Sequence, residues 1–486
     1  MNTVQIKTGL KVFDNVKFYG IIALLSIAIS CLLYFGSNPW HFPLDDAYIV
    51  IDNANTLLSG NADDSYSQNA LVGTTSAVHL ISVAFLGLFV DLPVAAFLAA
   101  SLFAALYHVG IACLSMQIYP SKLIALLSVC ISALAQNSLR QLYGGLETGL
   151  AMAAVVWCLS LFLSNSRLIL PLLCGVMPFI RPELAALSLG VLVWRWFENG
   201  LNLENIARDS TLFLLGIAPW LVWYYFATGH LTSQTGSAKI AFFAEANLPL
   251  AEKMSIAGGA IRESAILPLL VGIIFVFRTR FSVPLLVFVC AFLGAYLIYF
   301  PSGLYHNYSR YLYILLPLGI VGFVAFLKHI PVTHPVLVTA FFLGLLFLMP
   351  PQLNKFHETI IDSADEDRAV VEWANRNLPV DARVLIHDAG YFAWGTSFTT
   401  FDLVGLKTPS SIIEHEKYTK PSIGRNRSAA LNQIVIKNNI THVVILNTFF
   451  WNNMATDLVN EGWTLNAVRE PDESGFVIYK IFNPML

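Results

Sequence analysis

Long runs of uncharged, apolar sequence constrain this chain more than any other feature. Residues 71–180 carry only Asp91, Lys122, Arg140, Glu147 and Arg167 as formal charges, and residues 282–350 carry only Arg310 and Lys328. By contrast, residues 352–486 hold 28 of the 59 acidic and basic side chains. A soluble domain averages roughly 25% charged residues, whereas this chain has 12%, with 56% hydrophobic. Lipid is therefore the expected solvent for residues 1–350 and water for residues 351–486. The predicted fold class is a polytopic α-helical membrane protein of about 11–13 transmembrane helices, followed by a C-terminal soluble α/β domain.

A crossing takes about 20 apolar residues, or fewer where protein shields the helix. The candidate segments are 18–36, 71–90, 93–117, 121–136, 147–164, 168–180, 182–196, 211–228, 265–278, 282–300, 309–327 and 334–350. Basic residues at their ends set the orientation. Lys7, Lys11, Lys17, Arg167, Arg195, Arg208, Arg278, Arg280 and Lys328 all sit inside if the N-terminus is cytoplasmic. Loop 37–70, loop 229–264, residues 301–308 and the tail then lie outside. Parity requires residues 118–146 to begin and end outside, so 121–136 is expected to be re-entrant or one of two short crossings. The first apolar run lacks a small-residue cleavage site and reads as a retained anchor.

All six cysteines fall in apolar segments, with no disulfide framework or metal spacing. A net charge of −3 offers nothing to nucleic acid. In the tail, residues 366–377 suit an amphipathic helix, and 382–387, 442–446 and 476–481 read as strands.

Residues 42–60 carry the most chemistry. Ala47, Val50, Ile51, Ala54, Leu57 and Leu58 form one apolar stripe of a short helix on the membrane surface, with Asp45, Asp46 and Asp52 on or near the opposite face. Asp45 could simply cap the helix, and Asp46 could favour its dipole. The functional alternative is a general base that takes the proton of an attacking hydroxyl, with Asp45 first choice and Asp46 its partner or substitute. Two adjacent carboxylates could also share a divalent cation. Glu147 in GLETGL, Arg181 in FIRPEL, Lys239 at the end of GHLTSQTGSAK, and His306 and Arg310 in HNYSRYL sit at the outer ends of spans. Charges at such depth pair internally or serve a ligand, and arginine suits a lipid phosphate. His79 reads as a packed histidine. His387, Asp388 and Asp402 read as structural.

The series LDDAYI, GLET, IRPE, GHLTSQTGSAK and SRYLYILLPL, with DAG and FDLVGL in the tail, resembles the GT-C membrane glycosyltransferases. It is similar to the mycobacterial cell-wall arabinofuranosyltransferases. The resemblance implies a hexosyl- or pentosyltransferase of a bacterial plasma membrane. Its donor would be a polyprenyl-phosphate sugar and its acceptor a glycan, lipid or protein, with both active site and tail outside the cytoplasm. It implies an acidic catalytic residue at Asp45 or Asp46 and basic residues near the lipid phosphate, which map onto Lys239, Arg310 and Arg181; Glu147, ordering the pocket, and His306 are further candidate binding residues. Direct displacement would invert the anomeric centre. A flippase for a lipid-linked sugar is the alternative, and it predicts paired halves with interrupted helices. An assembly protein anchored by its membrane body is a further one.

Overall fold

The computed structural model describes residues 15–37, 40–276, 279–329, 334–470 and 475–482. Lys7, Lys11 and Arg278, used above for orientation, lie outside the described residues. Among the described residues, five helices are long and apolar enough to cross a membrane: Val16–Gly36, Leu92–Ile118, Leu203–Thr228, Ser282–Tyr299 and Pro301–Leu327. The helices Leu250–Glu263 and Leu267–Val276 form one further apolar pair, bent by 101°. Shorter apolar helices, among them Lys122–Leu134, Thr148–Leu163 and Ile169–Ile180, pack between them.

Local sequence explains where the helices end and how closely they approach. The side chain of Asn202 accepts the N–H of Asn205 (3.2 Å) to start helix Leu203–Thr228, and left-handed Gly229 (φ 75°) stops it. That helix lies directly on Ile169–Ile180, where a methyl group on Gly175 would collide with the Phe213 carbonyl. Small residues permit this approach, the usual device where lipid removes the hydrophobic drive between helices.

Two short helices bear on the expected crossings. In segment 71–90 the helix is Ala77–Gly87, 11 residues long, and it runs beside the first-loop helix Asp46–Ser59. Thr74, just before it, accepts from Asn53 (2.7 Å), and Gly87 at its end lies against Leu58. Helix Lys122–Leu134 is not re-entrant. Lys122 lies 5.9 Å from the Phe18 ring at the start of the first helix, and Asn137 beyond the other end meets Gln352, where the tail begins. A crossing at Lys122–Leu134 with Ala77–Gly87 on the surface would satisfy the expected parity.

The C-terminal domain is a five-stranded sheet in the order β2-β1-β3-β5-β4: β1 (Arg383–Ile386), β2 (Thr399–Asp402), β3 (His442–Leu446), β4 (Thr464–Arg469) and β5 (Phe476–Phe482). β1 is parallel to β2 and β3, whereas β5 is antiparallel to β3 and β4. The expected boundary at residues 350/351 falls inside one 44-residue helix, His334–Asn377. Its last turns place Val370, Val371 and Ala374 in a core shared with Val384, Ile386 and Ile478 of the sheet. Membrane bundle and sheet are therefore built on a common element.

Candidate functional site

The first-loop helix Asp46–Ser59 is buried between bundle and sheet domain instead of lying half in solvent. Asp52, Asn53 and Thr56 are buried along with Ala47, Val50, Ile51 and Ala54 of the expected apolar stripe, whereas Leu57 is half-buried and Leu58 exposed. The reason lies in the tail: Lys407, fully buried, reaches Asn53 (2.6 Å), Asp63 (3.0 Å) and Asp52 (3.3 Å). Gly73 leaves room for its stem, since a side chain there would strike Lys407. His41 adds a bond to Asp367 (2.8 Å).

This packing separates the tandem aspartates. Asp45 makes no side-chain cap. Its two carboxyl oxygens instead accept the backbone N–H groups of Gly390 (2.7 Å) and Tyr391 (2.6 Å) in the sheet domain. Gly390 must be small, because a methyl group there would meet the Asp45 carbonyl. Burial, with Asp388 and Asp367 nearby, pushes the Asp45 carboxyl well above the usual range. Geometry precedes pKa in choosing a base, and Asp45 faces the sheet, not a cavity. Of the two candidates, it is Asp46 that lines the cavity. The shared cation site fails for the same reason: the two carboxylates engage different partners. Among the described residues no group of three or more His, Cys, Asp or Glu side chains is arranged to hold a metal.

Asp46 points the other way. Its Oδ2 accepts from Arg310 (3.2 Å) and from Asn307 (3.3 Å). Burial raises this carboxyl, but Lys239, Arg310 and His306 together outweigh burial and hold it below its ordinary value. Lys239 and Arg310 both donate to the Tyr311 hydroxyl (3.1 and 3.3 Å), and Lys239 lies 3.4 Å from His306 Nε2. Asp46, Glu147, Lys239 and Arg310 line one polar cavity, together with Thr75, Thr235, His79 and Leu406. An adjoining cavity of about 200 Å³ shares Glu147, Lys239 and Arg310, adds Arg181 and Tyr311, and continues between Ile240, Tyr296, Tyr299 and Phe300.

The basic residues are not equivalent. Arg181 is neutralised by Glu147 (2.5 Å) and Glu183 (2.8 Å), and Tyr296 donates to Glu183 (2.7 Å). It is the internal ion cluster weighed above for arginines in spans. Lys239 has only neutral partners, and Arg310 keeps a buried Nε without one. Sequence reasoning noted Glu183 beside Arg181 but missed Tyr296, Tyr311 and Lys407, although Tyr311 stood inside a motif it had singled out. In the tail, Asp402 accepts the N–H groups of Val404 (2.8 Å) and Lys407 (2.9 Å), and His387 lies 4.1 Å from the Trp451 ring.

The molecule thus joins a helical bundle to a sheet domain, with a polar cavity at their junction, and it shares its fold with solved structures. ArnT from Cupriavidus metallidurans, bound to undecaprenyl phosphate, superposes with a TM-score of 0.54 at 12% identity, covering 94% of this chain and 97% of that one. The same protein in the apo state gives 0.53 at 14% identity, with the same coverage. Arabinofuranosyltransferase AftD from Mycobacteria aligns at 0.44 and 15% identity, over 94% of this chain and 41% of that one, too loosely to bear on the sugar. Residues 357–479 match the family described as "Domain of unknown function (DUF8728)". No curated protein matches the chain in sequence.

Proposed function

We propose that this protein is an inverting glycosyltransferase that moves a sugar from a polyprenyl-phosphate donor to a hydroxyl acceptor. The observation that carries the reading is the meeting of Asp46 with Arg310, its salt-bridge partner, and with Lys239, which bonds only to His306 and Tyr311, beside an aromatic-walled cavity. ArnT, which has the same fold, binds a lipid of that kind. With the N-terminus cytoplasmic, the cavity and the sheet domain face the non-cytoplasmic side of a bacterial plasma membrane.

The donor's phosphate would sit against Lys239 and Arg310, with His306 and Tyr311 positioning the lysine. Arg181 and Glu147 shape the floor as a neutralised pair. Phosphate drawing on Arg310 loosens its hold on Asp46, so donor binding raises the basicity of the carboxylate as the reaction needs it. Asp46 takes the proton as the acceptor O–H bond breaks, and the acceptor oxygen bonds to the anomeric carbon. The bond from that carbon to the phosphate oxygen breaks, leaving its electron pair on the phosphate, where the two cations stabilise the new charge. Attack from the face opposite the leaving group inverts the centre.

Transfer by the purified enzyme from a polyprenyl-phosphate sugar tests this. Asp46→Asn lowers turnover by about 10²–10⁴-fold, the usual contribution of a positioned base, while donor binding persists. An Asp46→Asn enzyme with full turnover would remove the assigned mechanism.

A further inference from the structure

The short helix Ser138–Tyr143 presents Arg140 to a cleft that the reaction above does not use. Arg140 is 4% exposed, yet its Nε and Nη1 have no hydrogen-bond partner. Its Nη2 donates to Thr359, and the guanidinium lies 3.5 Å from the centre of the Tyr308 ring. Lys355 lines the same cleft, and among the described residues neither cation forms an ion pair with a carboxylate. A buried guanidinium without an anion is costly, and an anion from outside the chain that widened this narrow cleft, now about 10 Å³, would offset that cost.

What lies under the cleft indicates the rest of the ligand. Leu139 and Gln352 line both the cleft and an apolar cavity of about 350 Å³. That cavity runs between the first helix, through Ile22 and Leu25, and helix Lys122–Leu134, through Val129. An unpaired guanidinium above a hydrocarbon-lined groove matches a lipid with a phosphate in its head group.

The cleft is also linked to Asp46. Gln141, next to Arg140, donates to the Asn307 carbonyl (3.0 Å), and the Asn307 side chain donates to Asp46 (3.3 Å). Asn307, Tyr308 and Ser309 all hold left-handed backbone, with φ of 49°, 60° and 60°. Three successive non-glycine residues in that region are strained, and they carry the bond to Asp46 and the ring over Arg140. The geometry points to a second lipid-phosphate site, at Arg140 and Lys355, that holds an amphiphilic acceptor with its hydroxyl reaching Asp46 past Asn307. The acceptor role rests on the transferase reading of Asp46; the lipid site itself does not.

Dodecyl phosphate binding to the full-length protein, counted by native mass spectrometry, separates the possibilities. The unaltered protein binds two equivalents. Arg140→Gln weakens one of them by about tenfold or more, as loss of a charged hydrogen bond requires, while Lys239→Gln weakens only the other. Because Arg140→Gln could unfold, Lys355→Gln is the second variant: its side chain is exposed, and it weakens the same equivalent about threefold. Unchanged binding in either folded variant overturns the site. Inorganic phosphate displacing dodecyl phosphate at equal concentration overturns the lipid assignment, because the groove then contributes nothing. In transfer assays Arg140→Gln raises the acceptor KM and leaves the donor KM unchanged. An unchanged acceptor KM alongside lost binding removes the acceptor role and leaves a site for a bulk phospholipid. Absence of transfer from every polyprenyl-phosphate donor sinks the proposed function, yet leaves the binding result standing.

Discussion

Asp46 works in a field dominated by Lys239, Arg310 and His306, and the sign of that field has a measurable consequence. Burial favours the protonated acid, but the neighbouring cations favour the carboxylate by more, so Asp46 stays ionised through the neutral range. The acidic limb of the transfer rate in free enzyme therefore falls below the ordinary aspartate value of about 4. Removing a cation removes stabilisation of the carboxylate, so Arg310→Gln moves that limb to higher pH. A pH profile of kcat/KM in the two enzymes checks this, and an unmoved limb would show that Asp46 is not the titrating group. Asp45→Asn leaves the limb in place, since Asp45 contacts the sheet instead of the cavity. The tandem was legible in the sequence; the assignment of roles within it was not. Consecutive helical residues point about 100° apart, so one aspartate had to face away from the cavity. Which one was decided by Gly390 and Tyr391, some 345 residues along the chain.

Among elements, the first-loop helix shows best what the sequence hides. Its apolar stripe was readable from spacing alone, but the fate of its polar face was not, because the covering partner is one lysine in a distant turn. Lys407 sits between two carboxylates that are themselves largely buried. Replacing it with Met leaves them uncompensated and costs about 3–5 kcal/mol, the usual result of breaking a buried pair from one side. Thermal unfolding of the purified protein reads that loss, and hydrogen exchange locates it in residues 46–63. Stability within about 0.5 kcal/mol of the unaltered protein would mean that the lysine is dispensable. Gly390→Ala acts on the same junction more locally, displacing Asp45 from its two amide donors. The strands show a related limit. β1, β3 and β5 were recognisable as short apolar runs, whereas β2 (TTFD) and the largely exposed β4 lack that signature. Their pairing comes from neighbours, not from their own composition.

At the scale of the whole molecule, composition alone separated a lipid-solvated part from a water-solvated one, and the sheet domain rests on the bundle as expected of a tail. Their mutual dependence was not visible, because neither apolar periodicity nor charge density reports on contacts between distant segments. The contacts through Asp45 and Lys407, and the apolar core shared with the end of helix His334–Asn377, make a non-covalent junction. A protease site inserted at the fully exposed Val380 loop should therefore cut the chain without parting it. The two fragments are expected to co-elute from size-exclusion chromatography in mild detergent and to retain transfer. Separate elution would show that only the peptide linkage holds them together.

The continuous helix His334–Asn377 has a mechanical consequence. At about 1.5 Å per residue, its 44 residues make a rod with a contour length of roughly 66 Å, packed on the helical bundle at one end and on the sheet at the other. Tension on the sheet would travel down that rod into the bundle. Pro350 and Pro351, each lacking an amide hydrogen, mark the place where it would yield first.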